Sequence, residues 1–299
     1  MTVTAFAPTP RRAAAKPPLK TQGYWRGVAG RLRHDRITLI CLGVLAVILL
    51  AAIFAPLVAP HDPYKTSMVR RLLPIGSANH WLGTDELGRD MLTRLIYGGR
   101  ISLFMGLAPV LLATLIGGGL GLIAGYLGGV WNTVIMRTMD VFYAFPSVLL
   151  AVAISGALGA GLVNGLIALT LVFIPPLSRI AESVTAQARN EDYVEAARAT
   201  GARTGRIIAV HILPNVLGPI FIYASSLISV SIVIASGLSF LGLGVSPPQA
   251  DWGLMLNTLR QAIYLAPVIS VLPGVMIFVT SISFNLMSDG LRAAMDVKN

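Results

Sequence analysis

Long runs without a single Asp, Glu, Lys or Arg dominate the chain: residues 37–60, 101–136, 141–178, 212–250 and 261–288. A charged side chain at the centre of a membrane helix costs about 2.5–3.5 kcal/mol on an insertion scale. A helical span needs roughly 20 predominantly apolar residues. Each run is therefore long enough for at least one helix across a bilayer. The run 141–178 holds two, because Gly156, Gly159, Gly161, Asn164 and Gly165 supply a turn near its middle. The pattern predicts six membrane helices, over 37–57, 101–126, 140–158, 162–178, 214–236 and 264–286.

Composition strengthens that reading. Apolar residues make up 55% of the 299 positions and charged residues 12%, with a mean hydropathy of +0.74. Soluble domains carry about 25% charged residues, so lipid is the better solvent for this chain. The net charge is +10, and eight of the 23 Lys and Arg precede residue 37: Arg11, Arg12, Lys16, Lys20, Arg26, Arg31, Arg33 and Arg36. Next to an uncharged run this is the positive-inside signal that holds an N-terminus in the cytoplasm, rather than a nucleic-acid patch. Six spans return the C-terminus to the same side. The inside segments then hold 16 Lys and Arg against seven outside. The first uncharged run is too long for a cleaved secretory segment and is read as a retained span.

The expected organisation is a largely disordered cytoplasmic tail over 1–36, a first span over 37–57 and an extracytoplasmic loop over 58–100. A core of five spans over 101–290, including a polar loop at 187–213, and a cytoplasmic tail at 291–299 complete it. Trp25 is placed to anchor the N-terminal tail at the interface. Gly117, Gly121 and Gly125 recur every four residues on one face of the second span. Bare surfaces at that spacing let two helix backbones approach closely, where van der Waals contact replaces the missing hydrophobic drive. Tight packing is the expected role, with a hinge as the alternative. Trp81, Trp131 and Trp252 fall near the span ends, as interfacial belt residues do. Asp85, Arg89 and Asp90 are expected to tie down their own loop by ion pairs, and Arg137 with Asp140 to pair locally at a membrane edge.

Several chemistries are absent from the sequence. Cys41 is the single cysteine, so neither an intrachain disulfide nor a cysteine-rich metal site is possible. His34, His61, His80 and His211 have no metal-ligand spacing, and neither metal nor cofactor is expected. No HExxH, GxSxG or paired catalytic carboxylates occur, which argues against an enzyme. A gradient-driven secondary transporter normally places ionisable groups inside its spans, and the uncharged runs offer none. The chain also lacks GxxxxGK[ST], so it has no phosphate-cradling loop of that type for ATP.

One polar island remains, Asn190-Glu191-Asp192-Tyr193-Val194-Glu195-Ala196-Ala197-Arg198-Ala199-Thr200-Gly201. Asn190 is an N-cap candidate, acidic residues occupy the first turn, and Gly201 stands where a helix C′ would be. This predicts a short extramembrane helix of about ten residues, whose small middle (Ala196, Ala197, Ala199) another protein could approach closely. Pro214 is placed to start the next span. By physics alone, an ordinary capped loop accounts for the segment equally well.

The residues then bring in a resemblance. Glu195-Ala196-Ala197, three residues, Gly201, and nine residues on a position followed by Ile212-Leu213-Pro214 resemble the EAA loop of ABC importer permeases. His211 stands where isoleucine is usual, and histidine is common there in the dipeptide, oligopeptide and nickel permeases. Leu82 to Asp90 with Tyr97 to Leu103, Met136 to Asp140 with Phe145-Pro146, Leu238 to Gly244 with Pro247-Pro248 and Trp252-Gly253, and Phe284 to Leu286 with Asp289 to Arg292 are similar to that subfamily in order. Ser288 departs from its usual glycine. The resemblance implies an all-α membrane protein, a type I ABC importer permease with six transmembrane helices and a cytoplasmic coupling helix. It implies that Glu195, Ala196, Ala197, Gly201, Leu213 and Pro214 form the ATPase-coupling segment. It further implies a second homologous permease, two ATP-binding ABC subunits and an extracytoplasmic solute-binding protein as partners in a bacterial cytoplasmic membrane. Di- or oligopeptides are the implied cargo, with nickel, glutathione or another small solute as alternatives.

Overall fold

A computed structural model describes residues 30–295; the expectations for the tail before residue 30, including Trp25, lie outside them. Those residues form helices and loops, with two isolated β-bridges. The first long helix, α1 (Arg36–Ile53), starts under Asp35, whose carboxylate accepts from the backbone N–H groups of Ile37 and Thr38. Then follow α2 (Met91–Leu127), α3 (Gly129–Tyr143), α4 (Ser147–Leu158), α5 (Leu162–Ala188), the short α6 (Asp192–Ala199), α7 (Leu213–Phe240), α8 (Trp252–Leu259) and α9 (Pro267–Met295). Five helical segments are long and apolar enough to cross a membrane, and six if α3 and α4 count as one bent span.

The helices outrun the uncharged stretches that announced them. α2 begins ten residues before the expected 101 and carries Arg94 and Arg100. α5 continues ten residues past 178 through Arg179 and Glu182, and α9 reaches Met295 through Asp289 and Arg292. At 37 residues, α2 is about 55 Å long, against a hydrocarbon core of about 30 Å. Beyond that core a charge costs little, so it bounds a span but not a helix.

The third span, expected over 140–158, is two helices joined at a bend. α3 and α4 meet at 87°, and the break is at Ala144 to Pro146, where Phe145 precedes proline. Proline disfavours the α conformation in the residue before it. The turn placed near 156–165 is there, between Leu158 and Leu162. α3 buries only Met139, leaving Val130, Trp131, Val134, Val141 and Phe142 outward. An outward apolar surface is what lipid or another membrane helix accepts.

The close packing of α2 on α5 is set by the glycines. A Cβ at Gly117 would lie 2.6 Å from the Ile174 carbonyl oxygen, and one at Gly125 2.6 Å from that of Glu182. At Gly121 it would strike the Ser178 carbonyl oxygen, with Ala181 Cβ at 2.6 Å and Glu182 N at 2.8 Å. Three glycines four apart therefore face three carbonyls four apart, and only a missing side chain permits that approach.

At the opposite end of α2 from α6, polar groups knit the loop 58–90 to the bundle. Arg94, 2% exposed, lies 3.4 Å from Asp85 and donates to the carbonyls of Pro63, Pro248 and Gln249 at 3.2–3.4 Å. Asp85 also accepts from Arg89 at 2.6 Å. Trp252 is corrected from an interfacial belt residue to a core residue. It is fully buried, its indole N–H donates to the Leu95 carbonyl at 2.9 Å, and its ring lies on Gly98 and Gly99. Ser102 donates to Asp251 at 2.6 Å and accepts from Trp252 N at 3.1 Å. Trp81 and Trp131 are exposed.

Candidate functional site

The polar island folds as α6 between the ends of α5 and α7. Asp192 and Glu195 occupy its first turn and Arg198 its last, each on the favourable end of the helix dipole. Asn190, the expected cap, is not the capping residue: Glu191 holds that position, with extended backbone and no side-chain cap bond. The other end closes as a Schellman motif. Ala202 N donates to the Ala197 carbonyl at 3.2 Å and Gly201 N to that of Arg198 at 2.9 Å. Gly201 has φ +77 with nothing within 4 Å of a built Cβ, so its demand is conformational rather than steric.

Period fixes which face of α6 is buried. Val194 and Ala197, three apart, pack with Tyr126, Ala181, Ile207, Ile212, Val216 and Ile220. That set comes from α2, α5 and the entry to α7, so α6 is seated on three helix ends at once. Ala197 thus faces the chain's own core, whereas Glu195, Ala196 and Gly201 face outward. Arg198 sits over the Tyr126 ring at 5.4 Å, Arg189 donates to the Tyr126 carbonyl at 3.1 Å, and Asn215 donates to Tyr193 Oη at 3.3 Å. An open hollow of about 600 Å³ at the outer surface of α6 is lined by Arg189, Asn190, Glu195, Arg198 and Ala199.

The entry to α7 is a π-helical turn, Ile207–Ile212, in which Leu213 N bonds the Ile208 carbonyl five residues back. Pro214 stands in the first turn of α7, exposed, with Leu213 half-buried beside it. Proline offers no N–H to the carbonyl four residues before it, which favours the wider turn there. His211 lies in this turn, and its carbonyl accepts from Asn215 Nδ2 at 2.7 Å.

Further along the same helices lies a cavity of about 280 Å³ lined by Phe142, Tyr143 and Phe145 at the bend, Val172, Phe173, Pro175 and Pro176 on α5, and Tyr223, Leu227 and Val230 on α7. Beside it Asp140 pairs with Arg137 at 3.6 Å and with Arg179 of α5 at 2.5 Å. The Arg179 partner, 39 positions away, was invisible in the local spacing. Both groups are well exposed, and such pairs contribute roughly 0–1 kcal/mol. Asp140→Asn is expected to shift the detergent unfolding midpoint little; a large drop would assign the pair a structural role.

Residues 117–297 match the family described as binding-protein-dependent transport system inner membrane component, and residues 23–74 the N-terminal membrane domain of oligopeptide transport permease C. The chain is 42% identical to a dipeptide transport system permease of Alkalihalophilus pseudofirmus over 92% of this chain and 90% of that one. It is 42% identical to a di/tripeptide transport system permease of Pseudomonas aeruginosa, covering 94% and 92%. A glutathione transport system permease of Pectobacterium atrosepticum is 39% identical, covering 92% and 91%. The fold resembles an inward-facing structure of the MetNI methionine ABC transporter, with a TM-score of 0.54 at 18% identity, over 68% of this chain and 97% of that one. The chain belongs to the inner-membrane components of binding-protein-dependent transport systems and is a C-type permease subunit of an ABC importer.

Proposed function

We propose that the chain forms one half of a translocation pore for di- or oligopeptides, and that α6 is the segment a separate ATPase grips to move it. The observation that carries this reading is connectivity. α5 and α7 flank α6 directly, and both also line the cavity at the α3–α4 bend. A displacement of α6 therefore reaches the cavity through two helices moving as rigid bodies. Glu195, Ala196 and Gly201 offer the outer surface, and Ala197, Leu213 and Pro214 form the joint that holds it to the bundle.

The remaining assembly follows from this role. A second homologous permease supplies the other half of the pore, covering the outward apolar face of α3 and α4. Two ATP-binding subunits supply the hydrolysis, since this sequence carries no phosphate-cradling loop of the GxxxxGK[ST] type. A solute-binding protein delivers cargo at the end bearing the 58–90 loop. Both termini and the 187–213 loop face the cytoplasm of a bacterial cell, in accord with the Lys and Arg bias. Relatives named for dipeptide, di/tripeptide and glutathione transport support peptide-sized cargo.

The test is reconstitution with the partner subunits. Glu195→Ala and Gly201→Ala are expected to leave the permease inserted and folded, because Glu195 is exposed and a left-handed alanine costs about 1 kcal/mol. Both are expected to weaken ATPase association or to separate hydrolysis from uptake. Normal uptake with normal coupling in both variants would refute the role of α6.

A further inference from the structure

His61, His80 and Asp90 stand far apart in the sequence and converge beside the first turn of α2. One ligand atom from each lies within 4.8 Å of the other two. His80 Nδ1 is 2.9 Å from Asp90 Oδ1, and His61 Nδ1 is 3.7 Å from Asp90 Oδ2. The two imidazole centroids are 4.9 Å apart and tilted by 31°. Asp90 also caps α2, accepting from Thr93 N at 2.9 Å and Thr93 Oγ1 at 2.7 Å.

Hydrogen bonding within the cluster is incomplete. With Nδ1 protonated, His80 satisfies Asp90, but its Nε2 is buried without a partner, and so is His61 Nδ1. His80 is 5% exposed and Asp90 3%, and a buried polar atom left without a partner loses the hydrogen bond that water gave it in the unfolded chain. A simple His–Asp tether leaves His61 Nδ1, the atom turned toward Asp90, without a partner.

We propose that His61, His80 and Asp90 form a divalent transition-metal site of the zinc class that staples the loop 58–90 onto the start of α2. Bonds of 2.0–2.1 Å to nitrogen or oxygen in a tetrahedron set ligand atoms roughly 3.3 Å apart, and the separations of 2.9 and 3.7 Å bracket that value. Two imidazoles and one carboxylate suit zinc, copper or nickel rather than calcium or magnesium, which take oxygen ligands. A cavity of about 320 Å³ lined by Val58, Pro60, His61, Asn79, Trp81 and Leu92 opens beside His61. It gives an ion a way in and a water room to complete the coordination.

The full-length chain, stripped by chelator in detergent, would be titrated with Co²⁺ and read by visible absorption. One Co²⁺ per chain with the bands of four-coordinate cobalt is expected, displaced by Zn²⁺. His61, a third exposed, can be removed without unfolding the bundle, and His61→Ala is expected to weaken binding at least tenfold. His34→Ala, outside the cluster, retains it, and Zn²⁺ raises the unfolding midpoint of the parent chain but not of His61→Ala. No saturable cobalt band, or equal binding by His61→Ala and His34→Ala, would overturn the site.

Discussion

Gly121→Ala is expected to destabilise the bundle by about 3 kcal/mol, the upper end of the usual overpacking range. Its added Cβ meets the Ser178 carbonyl oxygen, Ala181 Cβ at 2.6 Å and Glu182 N at 2.8 Å. Two of those three are backbone atoms inside a helix, so no rotamer change relieves the contact; α2 and α5 must separate. Gly119 is the control. Nothing lies within 4 Å of its Cβ, and glycine is intrinsically about 1 kcal/mol worse than alanine within a helix. Gly119→Ala should therefore leave stability unchanged or raise it, and the two neighbouring substitutions should differ in sign. Replacing Gly117, Gly121 and Gly125 together by alanine is expected to prevent accumulation of folded protein. Unfolding midpoints in detergent decide the matter. Equal shifts for Gly119→Ala and Gly121→Ala would remove the packing role of the stripe.

Trp252→Ala carries the second large effect, a loss of about 3–5 kcal/mol expected for emptying a fully buried aromatic site. The indole fills the space over Gly98 and Gly99 and packs with Met91, Leu95, Met255 and Leu259. Its loss opens a cavity at the joint between α2 and α8, and removes the donor to the Leu95 carbonyl. Trp81, 76% exposed, provides the comparison: Trp81→Ala should fall within the roughly ±0.5 kcal/mol typical of surface changes. Similar losses for both tryptophans would contradict the buried assignment. The same contact explains why Tyr97-Gly98-Gly99-Arg100-Ile101-Ser102 and Asp251-Trp252-Gly253 occur in one chain. The two glycines make room for the indole, and Ser102 bonds both Asp251 and the Trp252 backbone.

The spans were legible because the hydrocarbon core penalises charge wherever along the chain it falls. Helix ends were not, because α2, α5 and α9 continue past the hydrocarbon core: Arg179 and Asp289 are exposed there, and the buried Arg94 is offset by Asp85 and three backbone carbonyls. The bend between α3 and α4 was hidden inside an uncharged run, although Phe145-Pro146 marked where it falls. Of the candidate site, Gly201 could be placed as a helix terminator and Glu195 in a first turn from local chemistry alone. Which alanine turns inward could not, since Ala196 and Ala197 differ only in the face each presents.

By itself, the sequence determined a multi-pass helical membrane protein, a glycine face on α2, a polar helix ended by Gly201 in one loop and the family that combines them. These are properties of composition and of spacing along a single helix, and no other part of the chain is needed to read them. Tertiary structure decided what those faces meet: the carbonyls of α5 against the glycines, Trp252 inside rather than at an interface, Arg179 on Asp140, and His61 and His80 on Asp90. Each of these joins residues whose separation depends on how helices and loops are arranged in space, and arrangement is set by packing distances that no one-dimensional period records.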